Sequence, residues 1–149
     1  MTATEAFLKG GKEMIAAFTD AGWTDGDMAT QCDPSKHYFF HYHVRNDYVT
    51  KYIDSIKNLY SVWGANTVNG GDQSDDEYAS REVTIFVNFY MQDPVTDEKV
   101  NASLGALETA MASREWAMSI TSADIYDDSN KLRGIEVSFK KMINDERTY

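Results

Sequence analysis

The chain has 149 residues, 42% of them hydrophobic, with 24 acidic against 14 basic side chains and a formal charge of −10. That length fits one domain able to bury a core without staples, and the charge argues against free nucleic acid as a ligand, since phosphate binding needs a basic footprint. No apolar run approaches the ~18 residues of a membrane span, the start lacks the basic-then-apolar pattern of a signal peptide, and the single Cys32 excludes an internal disulfide or a multi-cysteine zinc site.

Residues 2 to 18 read as a helix. Thr2 and Glu5 fit a capping box, and Phe7, Met14, Ile15 and Phe18 fall roughly on one face. Gly10 and Gly11 weaken its middle by about 1 kcal/mol each relative to alanine. The stretch "DAGWTDGD" ends the helix, and Trp23 is expected to pack back on the core.

All three histidines lie within "HYFFHYHV", residues 37 to 44. The segment alternates as a strand: Tyr38, Phe40, Tyr42 and Val44 share one face, and His37, Phe39, His41 and His43 the other. His41 and His43 are about 6.8 Å apart by the strand rise, but His37 is about 13 Å from His41 and cannot join the same ion. A catalytic zinc needs three protein ligands and an open position, and no third ligand stands at a recognisable spacing. The expectation is a polar histidine face, with a pH-sensitive interface as a further possibility.

"NDYVTKYIDSIKNLYSVW" changes period. Val49, Tyr52, Ile53, Ile56, Leu59, Tyr60 and Trp63 form a helical stripe, which predicts a helix over 47 to 63. Residues 64 to 80, "GANTVNGGDQSDDEYAS", have no apolar period and read as a long exposed loop or flexible arm, a feature usually functional when it occurs. Its acids do not fit an EF-hand: counting from Asp72, position 6 is Glu77 rather than Gly and position 12 is Val83 rather than Glu.

The clearest strand follows, "REVTIFVNFYM". Val83, Ile85, Val87, Phe89 and Met91 share one face; Thr84, Phe86, Asn88 and Tyr90 share the other, which is not fully polar. Such a second face belongs inside a sheet or against a partner. A helix over 96 to 112, capped by Thr96, carries Val100, Leu104, Leu107 and Met111 in one stripe. Two strands, 116 to 126 and 134 to 142, close the chain around the turn "DDSNKLRG". These elements predict one α+β domain over 1 to 149, with a mostly antiparallel four-stranded sheet and helices on one face.

No nucleophile elbow, phosphate loop or dinucleotide motif appears. Asp33 beside Cys32 raises a thiol pKa rather than lowering it. No enzyme and no cofactor is predicted. The excess of aromatic residues suits protein–protein contact or, equally, a large core.

The order of elements around "REVTIFVNFYMQDPVTDEKVNASLGALETAM" and "SITSADIYDDSNKLRGIEVSFKKM" resembles the tail terminator and tail-completion (neck) proteins of long-tailed, lambda-like bacteriophages. The likeness covers roughly residues 81 to 143 and carries no short diagnostic motif. The helix read over 47 to 63 departs from it, since strand or a short connection is expected there. The resemblance implies a non-enzymatic virion protein of the tail or neck: a ring, commonly a hexamer, that caps the tail tube and meets head-connector proteins, assembled in the host cytoplasm, without tight nucleic-acid or membrane binding. Subunit contacts would then involve Asp72, Asp75, Asp76, Glu77 and Tyr78 of the arm and Phe86 and Tyr90 of the strand. The competing expectation is a small acidic inhibitor that mimics DNA, of the anti-restriction or anti-CRISPR kind, acting by protein binding.

Overall fold

The computed structural model describes residues 1–30, 36–42, 60–70, 73–74, 77–78, 80–92, 96–127 and 132–144. Helix α1 (Ala3–Asp20) starts where the sequence predicts. Thr2 Oγ1 accepts the Glu5 amide at 3.0 Å, and Glu5 Oε2 accepts the Thr2 amide at 3.2 Å, so the capping box is complete. Its buried stripe is Ala6, Gly10, Met14, Ala17 and Phe18; Ile15, expected inward, lies exposed one step off that stripe. Gly10 has a packing role. A β-carbon there would stand 3.2 Å from Val83 Cγ1, so the missing side chain lets the helix lie close on the sheet.

The strands are β1 (Thr24–Asp25), β2 (Tyr38–His41), β3 (Tyr60–Gly70), β4 (Gln73–Ser74), β5 (Glu77–Tyr78), β6 (Ser80–Gln92), β7 (Ala117–Asp127) and β8 (Leu132–Asn144), with helix α2 (Asp97–Ala112) between β6 and β7. The main sheet has six strands in the order β1-β2-β3-β6-β8-β7. β1, β2 and β3 run parallel; the other pairs are antiparallel. β4 and β5 form a separate two-stranded ladder. The fold is α+β as expected, and most pairs of the sheet are antiparallel, but it has six strands rather than four and a parallel edge.

The difference lies at β1 and β3. Tyr60–Trp63 were expected to end a helix and residues 64–70 to belong to a loop; together they form β3. The remainder of that predicted helix, 47 to 59, lies outside the described residues. β3 hides its period because the register shifts between Ala65 and Thr67. Before the shift Trp63 sits opposite Val87; after it Val68 sits opposite Val83. Both partners face the core, so the inward position changes from odd to even across the bulge.

β6 is the centre of the sheet and obeys its predicted alternation. Val83, Ile85, Val87, Phe89 and Met91 are buried beneath the helices, joined by Val137, Phe139 and Ile143 of β8. Each such side chain contributes roughly 1.5–3 kcal/mol by leaving water. α2 buries Leu107 and Met111 and half-buries Val100 and Leu104, the four-residue stripe predicted for it. At the sheet's parallel end Phe18 stacks on Phe39 at 4.5 Å, and Trp23 meets Phe18 and Phe89 edge-on at 5.4 and 5.7 Å. Trp23 thus packs on the core as expected.

Candidate binding cleft on the second sheet face

The predicted interface residues separate into two groups. Glu77 and Tyr78 form β5 and pair with Ser74 and Gln73 past the last rung of the main ladder, Gly70 opposite Arg81. Asp72, Asp75 and Asp76 lie outside the described residues. Phe86 and Tyr90 stand on the face of β6 turned away from α1 and α2, both half-buried. From Ser80 at the end of the ladder to Phe86 the strand covers about 20 Å, so the chain enters β6 well away from the aromatic pair.

His37 and His41 do not form a solvated polar face. Their side of β2 is the helix-covered side, because Phe39 between them enters the core. His37 Nδ1 lies 3.4 Å from Ser103 Oγ on α2, and its ring stands 5.3 Å from Trp23. Burial, and then the charge of Lys99, push its pKa below 6.5. His41 lies between Trp63 and Tyr42, each ring 3.9 Å away. Burial lowers its pKa, against an upward pull from Asp27 and Asp25. Its Nε2 is buried without a partner, and its backbone amide donates to Asp27 Oδ2 at 2.8 Å. The two histidines therefore pack separate ends of the strand. His43 lies outside the described residues, and among the described residues no three His, Cys, Asp or Glu side chains converge.

Two concavities flank this region. One is an apolar groove of about 190 Å³ beside α1, formed by Phe7, Leu8, Gly11, Lys12, Ile15, His41 and Trp63. The other, of about 300 Å³, lies on the second sheet face around Tyr42, Val62, Gly64, Phe86, Asn88 and Glu136. The second is assembled by strand register. Val62, Asn88 and Glu136 form one row across β3, β6 and β8, and Gly64 and Phe86 form the next. Tyr42 ends β2 with φ of 69°, a left-handed conformation that turns its ring over Gly64. A β-carbon at residue 64 would meet that ring at 3.2 Å, so Gly64 keeps the space Tyr42 occupies.

Two acceptors stand at this cleft. Glu136 Oε1 accepts the Thr121 hydroxyl at 3.0 Å, which holds the carboxylate in place. Asn88 Oδ1 is buried with no hydrogen-bond partner. Tyr90, next along the face, has its pKa raised by burial and by Glu136, against a hydrogen bond from Asn88. Sequence alternation placed Asn88 beside Phe86 and Tyr90, but Tyr42, Gly64 and Glu136 come from three other strands or their ends. Nothing local to any of them marks a shared site. No protein-family model matches this sequence, and no curated protein matches it.

Proposed function

We propose that the protein is a non-enzymatic assembly subunit that works by protein–protein contact, in the manner of a tail-terminator or neck ring component of a long-tailed phage. The observation that carries this reading is the second face of β6. A central strand with its first face filled by the core also carries Phe86 and Tyr90 on its other face, and extends through a hairpin past the end of the sheet. Large aromatic side chains on a surface not needed for the core are the residues most enriched at protein interfaces. Within the stretch 47 to 63, where the resemblance expects strand or a short connection, the described residues 60–63 are strand. A net charge of −10 suits a ring whose lumen passes DNA without holding it.

The test is mass in solution by light scattering after size exclusion, with negative-stain imaging of large species, on the native chain and on Phe86→Ser and Tyr90→Ser. Closed rings of about six subunits, lost in the serine variants while the fold persists by circular dichroism, support the reading. A monomer that stays monomeric in the presence of isolated tail tubes and instead captures a DNA-binding enzyme overturns it, in favour of the acidic-inhibitor alternative.

A further inference from the structure

We propose that the cleft around Asn88 and Glu136 is a receptor for a guanidinium group, the arginine side chain of another polypeptide. Three features of the cleft define the ligand. First, it presents two acceptors with unmet capacity: the Asn88 Oδ1 that has no partner, while the amide group of the same side chain hydrogen-bonds Tyr90, and the Glu136 carboxylate, of which Oε1 takes one neutral hydrogen bond from Thr121. Asn88 and Glu136 are direct cross-strand partners, so their backbones stand about 5 Å apart. Two acceptors at neighbouring positions match the fixed fork of N–H donors on a guanidinium, which a compact ammonium covers less well.

Second, no cation answers Glu136 among the described residues. On the same strand as Glu136, Lys140 pairs with Glu82 and Lys141 with Glu13. A carboxylate and an orphaned amide oxygen at one concave site leave an unmet demand for donors carrying positive charge. Third, the walls are flat π surfaces. Phe86 and Tyr42 line the same space, and a weakly hydrated planar cation stacks on aromatic faces. A volume of about 300 Å³ lies at the lower end of the range for small-molecule sites, which suits the end of one side chain rather than a cofactor.

This inference does not rest on the assembly reading. It shares Phe86 with the assembly surface but turns on Asn88 and Glu136, and is read with the full-length chain and a small probe. The probe is Nα-acetyl-arginine methylamide, titrated by two-dimensional NMR, with the citrulline analogue as a neutral isostere and the lysine analogue as a compact cation. The expected result is saturable shifts of the Asn88 side-chain amide and the Gly64 and Phe86 backbone amides with the arginine probe. The lysine analogue should bind more weakly and citrulline should produce no saturation. Glu136→Gln keeps the oxygen that accepts from Thr121 and removes the charge; it should weaken arginine binding about tenfold. Phe86→Leu should weaken it with the fold preserved. Equal binding of citrulline, an unchanged affinity in Glu136→Gln, or shifts that map away from the cleft would each overturn the proposal.

Discussion

Replacing Gly26 with alanine drives a methyl group into a buried ring. A β-carbon at residue 26 would stand 2.2, 2.6 and 2.7 Å from three carbons of Phe40, well inside contact distance. Phe40 is fully buried, so its ring has no outward path. The Gly26 amide also donates to the Phe39 carbonyl at 2.8 Å, tying that turn to β2. Relief therefore needs a shift of about 1 Å in ring or backbone, and overpacking of this kind costs about 1–3 kcal/mol. The upper part of that range applies here, because backbone and ring are both pinned. Gly105→Ala is the internal control. Its β-carbon meets nothing within 4 Å on α2, so helix propensity alone should stabilise by about 1 kcal/mol. Urea unfolding followed by tryptophan fluorescence measures both. Trimming the ring in the double variant Gly26→Ala/Phe40→Leu should recover part of the loss as a favourable coupling. If Gly26→Ala unfolds at the native midpoint, the steric account of this turn is wrong.

Lys141→Ala should cost about 3 kcal/mol, since Lys141 Nζ is 2.7 Å from Glu13 Oε1, with side chains 14% and 21% exposed, and Glu13 Oε2 has no other partner. A loss under about 1 kcal/mol would mean that the pair behaves like an exposed one. Stability should fall as pH drops through the range below 6.5. His37 and His41 have folded pKa values lowered by burial, so the unfolded chain binds more protons there; their contribution is complete above the unfolded value and lost toward acid. The decline in urea midpoint from pH 7 to 5 should be smaller in His37→Gln/His41→Gln, and an identical decline would refute this assignment. Thr2→Ala should lower stability by about 1 kcal/mol through loss of the capping box, read as earlier thermal unfolding.

Much of the architecture was legible because it depends on neighbours in sequence. The Thr2–Glu5 box, the Thr96 cap and the stripe from Val100 to Met111 are decided within one or two turns. The alternation from Val83 to Met91 is decided along one strand. A region rich in Gly and Asp was read as an arm over 64 to 80, but 64 to 70 and Ser80 belong to the main sheet, and 73–74 and 77–78 form the β4–β5 ladder. Gly64 and Gly70 are poor strand formers, and they are held there because β6 supplies their ladder partners, Phe86 and Arg81.

The histidines show the same division. A strand was read over 37 to 44, of which Tyr38–His41 form β2 and Tyr42 turns away, but which side of that strand the helices cover could not be read. Phe39 decided it by stacking on Phe18, and this turned an expected polar face into an inward one. The cleft is further still from local sequence. Val62, Asn88 and Glu136 become a row only through pairing across tens of residues, and Tyr42 reaches it only by leaving β2 in a left-handed turn. By itself, then, the sequence determined helices α1 and α2, their caps, the central strand and the acidic charge, since propensity, capping and period act over a few residues. Strand order, the parallel edge, the bulge at residues 65–67 and the meeting of acceptors with aromatic rings were decided by tertiary structure, because each requires partners that only the folded chain brings together.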